Sequence, residues 1–306
     1  MAIAIRAFAI EEKKPELGVW FWTQLTELSE SELNNVIEKA ESDHFTALYL
    51  SVEDLLPLLE MPDGIVKKEK LRAYQESLAH FISLAKNKNI VIDAVAGEKE
   101  WAEKENRIKP ERILAFFSQY QKAHPDHSFR ALQFDIEPYL LASYEGNKSH
   151  ILLSYIELVD DLVNQGVKDD IELNFVIPHF YDSAQEWTPE INYNQITAYP
   201  FNHLLRIMDR QKKGQILIMS YRNMTEGENG SIALSEKEIL DAEKTKHVNV
   251  LVAQEVGDVE PHYVTFFGRP KKELLEKIQE LQSTFKDKKS FAGIAINYWD
   301  PFQELE

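Results

Sequence analysis

Asp135 and Glu137 stand two residues apart in the stretch Phe129-Arg-Ala-Leu-Gln-Phe-Asp-Ile-Glu-Pro-Tyr139. Leu132, Phe134 and Ile136 alternate with polar neighbours there, the pattern of a short buried strand. Residues i and i+2 of an extended strand share a face, so the two carboxyls project the same way. Pro138 has no N–H to offer a neighbouring strand, which puts the acids where the strand runs into its loop. Removing acids from water is costly unless a partner or a reaction uses them. Two acids so placed could deliver a proton to a leaving group and hold charge beside it. The plainer reading is a solvated strand end.

The elements that position this pair follow from the spacing of apolar runs. Gly18–Thr23, Phe45–Ser51, Asn89–Val95, the stretch just described, Ile171–Ile177, Gln215–Tyr221, Val248–Ala253 and Phe291–Asn297 read as strands. Helical patterns fall between them. One opens at Ser29-Glu-Ser-Glu32, one runs over 64–86 with Leu71, Tyr74, Leu78, Phe81 and Leu84 at helical spacing, and one starts at Pro110. Eight strands alternating with helices predict an α/β protein, a (β/α)8 TIM barrel in a single domain over 1–306, with a short N-terminal extension, 1–16. No G-x-G-x-x-G or P-loop marks a nucleotide-binding sheet.

Composition narrows the chemistry. The 306 residues carry 51 acidic and 34 basic side chains, a formal charge of −17, which argues against nucleic acid as a partner. With no cysteine, thiolate nucleophiles, disulfides and cysteine metal sites are excluded. No apolar run reaches membrane-spanning length, so no membrane partner is expected. The apolar start, Met1 to Ile10, is broken by Arg6 and lacks a basic leader, a poor signal peptide. A cytoplasmic protein is expected if Met1 is native, and an exported one if a signal segment has been removed. No cofactor or metal is expected: H-E-x-x-H is absent, His179 stands alone, and His124-Pro-Asp-His127 precedes the fourth strand, away from the acids. Protein partners are left open.

Barrels keep their chemistry at the C-terminal strand ends. Those ends carry Trp20 and Trp22, Glu53, Asp93 followed by Glu98 and Trp101, Asp135 with Glu137 and Tyr139, His179 and Tyr181, Tyr221 and Arg222, Gln254 and Glu255, and Asn297 with Trp299 and Asp300. Aromatic faces stack on sugar rings while carboxylates and amides take hydroxyls, so a carbohydrate ligand is expected. Trp22, Glu53, Trp101, Tyr139, His179, Tyr181, Arg222, Asn297 and Trp299 are the candidate binding residues. Any one of these aromatics could equally be a barrel plug.

Gln133-Phe-Asp-Ile-Glu137 resembles the second half of the D-x-x-D-x-D-x-E motif of family 18 glycoside hydrolases, the chitinases and their relatives. Met219-Ser-Tyr-Arg222 is similar to that family's M-x-Y-D, and Trp299 falls where it keeps a tryptophan. The resemblance implies Glu137 as general acid, with Asp135 and Tyr221 orienting a substrate N-acetyl group. Arg130, Gln133 and Arg222 stand where that pattern has aspartates, which implies an altered proton relay. The chain also resembles a group of uncharacterised bacterial glycosidase-like barrels through Ala94–Trp101, Phe134–Tyr139, Ile218–Arg222 and Glu255–Val259.

A second pairing is open. Ile136-Glu-Pro138 resembles the N-E-P of the large retaining-glycosidase clan, and Glu255 stands where its nucleophile ends strand seven, so Glu137 and Glu255 would be acid and nucleophile. Glu255 could instead form an ion pair with Arg222. The catalytic candidates are therefore Glu137, Asp135, Tyr221 and Glu255 in a glycoside hydrolase. The alternative is a non-catalytic glycan-binding barrel that has lost the full relay.

Overall fold

Residues 14–183 and 188–306 are described by a computed structural model. Ten strands form in chain order: β1 (Glu16–Phe21), β2 (Ala47–Ser51), β3 (Val91–Ala96), β4 (Leu132–Phe134), β5 (Leu173–Pro178), β6 (Ile191–Tyr193), β7 (Ile196–Ala198), β8 (Gly214–Met219), β9 (Val248–Glu255) and β10 (Phe291–Asn297). Eight of them close a parallel barrel in the order β1-β10-β9-β8-β5-β4-β3-β2, with helices outside. The predicted α/β barrel is the observed fold. The sequence reading contains no counterpart of the antiparallel hairpin β6–β7, which turns through Asn194 and Gln195, both at positive φ. Most of the expected extension, residues 1–13, lies outside the described residues.

Side chains alternate along each strand, and the two sets fill different spaces. The outward set, such as Leu48, Phe134, Phe175 and Ile218, packs under the helices in one large core. The inward set is smaller and fills the barrel itself: Trp20, Tyr49, Val95, Val176, Leu217, Leu251, Ala253 and Ala295. Trp20 meets Tyr49 edge-on at 5.3 Å. Gly18 leaves the room that Tyr49 needs, since a Cβ there would fall 2.1 Å from the phenol oxygen. With its middle filled, the barrel is a plug with two separate polar ends.

The lower end, at the strand N-termini, holds a closed network of charge. Arg130 is bidentate to Asp93, through Nε at 2.8 Å and Nη2 at 2.7 Å, and also donates to both carboxylate oxygens of Glu16. Tyr49 and Gln215 donate to Glu16, and Asn174 donates to Asp93 at 3.1 Å. Asp93 was counted among the catalytic strand ends, but it sits near the start of β3 and points to this lower face. Arg130 likewise belongs here rather than to any acidic relay at the opposite end.

No helix of the described residues is long and apolar enough to cross a membrane.

Candidate active site

β4 is short: its regular pairing covers Leu132–Phe134, and the Asp135 amide adds one more bond to Ala96 O at 3.1 Å. Pro138 then opens a single 3-10 turn, Pro138–Leu140. The acids thus lie just past the strand, as the proline predicts. Gly97 makes this possible on the β3 side, because a Cβ there would overlap the Asp135 carbonyl at 1.7 Å. Gln133 points into the barrel beneath them and accepts from Trp20 Nε1 at 2.6 Å.

The two acids differ in partners. Tyr139 donates its hydroxyl to Glu137 Oε1. Asp135 Oδ1 is sealed from solvent and has no donor among the described residues. Burial, then the nearby charges of Glu137 and Glu53, holds Asp135 well above the ordinary carboxyl range. Burial also raises Glu137, and the Tyr139 hydrogen bond only partly offsets it. Burial thus shifts both groups toward the protonated form, the state a general acid needs before it acts.

Tyr221 and Glu255 complete the mouth. Burial, then the charges of Glu255, Asp135 and Glu137, holds the Tyr221 hydroxyl well above the usual phenol range. The charges of all three acids bear on that phenol, which stands at the same end of the barrel. Glu255 ends β9 and is held differently from the other acids. Its Oε1 accepts from the backbone amides of Val256 at 2.9 Å and Gly257 at 2.6 Å, and its Oε2 accepts from Asn297 Nδ2 at 2.6 Å. Trp22 Nε1 donates to Asn297 Oδ1 at 3.1 Å, which fixes the amide's orientation. Burial raises Glu255, and these three donors work against that rise.

The alternative Arg222–Glu255 ion pair is not formed. Arg222 donates to Tyr221 O at 2.6 Å, and its guanidinium lies over the Tyr263 ring, 5.3 Å from the centroid. His179 contacts Met219 O through Nδ1 at 3.2 Å, and burial holds the imidazole below its usual range, so it is neutral at pH 7. Glu53 is exposed at the rim, and partial desolvation of its carboxyl with the charges of Glu98 and Asp54 raises it.

Three expected binding aromatics are core residues instead. Trp101 is 1% exposed, packs edge-on against Phe134 and donates to Glu98 at 3.0 Å. Tyr181 is equally buried against Phe180 and Tyr155, and Trp299 packs on Phe21 and Phe45. Each lies beyond its strand in a turn or helix, where alternation no longer says which side faces the mouth. Trp20 and Gln254 are also buried, Trp20 inside the barrel and Gln254 against Ser231. Trp22, Tyr139, Tyr221 and Tyr298 are half-exposed rings at this end. The sequence reading missed the two amides that hold Glu255; Gly257 was their signal, since a Cβ there would stand 3.0 Å from Glu255 Oε1.

No protein-family model and no curated protein matches this chain. Solved structures do. A GH18 chitinase from Pseudoalteromonas aurantia superposes with a TM-score of 0.51 at 9% identity, covering 94% of each chain. The chain has a (β/α)8 barrel fold. A GH20 catalytic module of the pneumococcal exo-β-D-N-acetylglucosaminidase StrH gives 0.52 at 11% identity, over 95% of this chain and 80% of that one. D-psicose 3-epimerase from Clostridium cellulolyticum H10 gives 0.50 at 11% identity, over 92% and 85%. Identities this low speak for the fold, which here hosts both hydrolases and an epimerase, so the chemistry has to come from the site.

Proposed function

We propose that the barrel mouth hydrolyses glycosidic bonds, with Glu137 as the proton donor and Glu255 as the second carboxylate. One observation carries this reading: two acids in one mouth have opposite partners. Glu137 has a single phenol donor, while Glu255 has three N–H donors. Hydrogen bonds from N–H groups favour a charged carboxylate, and burial with few donors favours a neutral one. That split is the assignment a glycosidase needs. Glu137 gives its proton to the glycosidic oxygen as the C–O bond breaks and its electron pair leaves on that oxygen. Direct attack by Glu255, followed by hydrolysis, and attack by a water that Glu255 deprotonates have the same net balance. One water is added across the bond, and both carboxyls regain their starting protonation.

Trp22 and Tyr139 supply half-exposed rings for stacking, and Tyr221 a hydroxyl that senses the charge of the acids. The barrel's likeness to a chitinase and an N-acetylglucosaminidase module supports a carbohydrate substrate. Glu137→Gln keeps the shape and removes the proton. Sugar release from a glycan panel should fall by roughly 10²–10⁴-fold, with ligand affinity retained. Unchanged turnover would sink the assignment.

Gln133 favours a second reading, a glycan-binding barrel without turnover. Its amide oxygen accepts from Trp20 Nε1, its Nε2 is buried without a partner among the described residues, and it has no acidic proton to share with Asp135. A binder would be stabilised by ligand, release no product, and keep its affinity in Glu137→Gln.

A further inference from the structure

With 51 acidic against 34 basic side chains, this chain has carboxylates to spare for its arginines, and it uses them. Arg72, Arg107, Arg112, Arg130, Arg210 and Arg269 each pair with one, and Arg206 donates to the His203 imidazole. Arg222, at the barrel mouth, pairs with no carboxylate among the described residues. Its Nη1 donates to Tyr221 O at 2.6 Å, its Nε is buried without an acceptor, and Nη2 is left where solvent reaches it. Partial burial holds the guanidinium below its usual range, as expected of a charge short of partners.

The surroundings of Arg222 are firmly built. The Tyr263 ring lies against the guanidinium, 5.3 Å from its centroid, and is itself 53% exposed. Asn223 ties the loop that carries this ring to the end of β8. Its backbone N–H donates to Tyr263 O at 2.9 Å, and its side chain donates to His262 O at 2.8 Å and Thr265 O at 3.1 Å. The same loop lies against Glu255, where Phe266 N donates to Glu255 O at 2.9 Å. His179 stands past the end of the adjacent strand, β5. The Met219 carbonyl can only accept, so His179 Nδ1 carries the proton and Nε2 is an acceptor that solvent reaches. Asp182, the acid whose charge bears on His179, is held by Lys237 at 2.9 Å. This corner therefore offers one fixed positive charge, one acceptor for a hydroxyl and one exposed ring.

We infer that Arg222 is a specificity residue, and that the mouth takes a sugar bearing a singly charged anion, a carboxylate or a sulfate ester. This rests on the carbohydrate reading above and narrows its substrate class. Such a group accepts charge-assisted N–H bonds from the guanidinium, while the Tyr263 face takes the apolar side of the ring and His179 Nε2 a hydroxyl. A neutral sugar leaves Arg222 as it stands, without a counter-charge. A phosphate monoester carries roughly two negative charges at pH 7, and the corner has one cation to set against them.

The test uses the full chain, with calorimetry and thermal shift on matched tetramers. Glucuronate and galacturonate tetramers are set against their methyl esters, and a 6-sulfated N-acetylglucosamine tetramer against its unsulfated form, with sodium acetate and sodium sulfate as free anions. The acidic member of at least one pair should bind at least about tenfold more tightly than its neutral counterpart, and the advantage should shrink as salt screens the charges. Arg222→Gln should remove that advantage while leaving the neutral member's affinity unchanged, and Arg222→Lys should keep part of it. Tyr263→Ala should weaken acidic and neutral members alike, since it removes the ring and leaves the charge. Neutral tetramers binding as tightly as acidic ones overturn the inference and leave the carbohydrate reading standing, as does an acidic advantage that survives Arg222→Gln. Acetate or sulfate binding as tightly as the acidic tetramers shows that charge alone is read, and also overturns it. Failure of every tetramer to bind or be cleaved removes the carbohydrate reading together with this one.

Discussion

Glu16 and Asp93 at one end of the barrel, and Asp135 and Glu137 at the other, are pairs of acids drawn out of water by the same ring of strands. The lower pair shares Arg130 and gathers further donors from Tyr49, Asn174 and Gln215. Burial pushes Glu16 up, but Arg130 with the Tyr49 and Gln215 hydrogen bonds outweighs it, so Glu16 ends below the ordinary range. Asp93 is wholly buried, and the one arginine does not fully offset that, so it ends above. The upper pair has one phenol between two carboxyls. The difference separates acids kept for structure from acids kept available.

The largest expected effect comes from breaking the structural end. Arg130→Met strands two buried carboxylates and should cost about 3–5 kcal/mol, read as a lower midpoint in urea with an unchanged slope. Ligand affinity at the mouth should be unaffected in the folded fraction, because the filled middle of the barrel lies between. A loss of affinity matching the loss of stability would show that the two ends are not independent.

Why the strands were legible and this division was not follows from the range over which each is determined. Apolar runs of five to eight residues announce themselves locally, and eight of them gave the barrel. Arg130 finds its partners 37 and 114 residues away, so in sequence it reads only as a break in an acidic motif. Asp135 and Glu137 were legible because Pro138 fixes where their strand stops. Trp101, Tyr181 and Trp299 were misplaced because side-chain direction is not periodic past a strand end. The Glu255 cradle is made of backbone amides, and only Gly257 hints at it.

At the mouth, Asp135→Asn removes the negative charge that burial and the neighbouring acids disfavour, and should raise stability at pH 7 by on the order of 1 kcal/mol or more. The sign follows from linkage. The folded protein holds the Asp135 proton more tightly than the unfolded chain, so this acid's contribution to stability falls as pH rises from the ordinary carboxyl range through its raised value. Glu16 runs the other way: its contribution is present above the ordinary range and is lost as pH falls through its lowered value. Melting temperatures from pH 3 to pH 8 should therefore rise across the neutral range in Asp135→Asn and converge with the parent protein in acid. A lower melting point at pH 7 would mean that Asp135 has a structural partner after all.

The smallest effect sharpens the contrast within the mouth itself. Asn297→Ala removes one of three donors to Glu255 and leaves Trp22 Nε1 without its acceptor, but the Val256 and Gly257 amides remain. A loss of roughly 1 kcal/mol is expected, within about tenfold in turnover. The direction is more telling than the size. Without the amide donor the charged form of Glu255 is less favoured, so the acidic limb of the pH–rate profile should move to higher pH while the alkaline limb, set by Glu137, stays in place. Asn297→Asp should move the acidic limb further the same way, because a second charge there repels Glu255. Movement of the alkaline limb instead would exchange the two roles, making Glu255 the proton donor and Glu137 the carboxylate that acts charged.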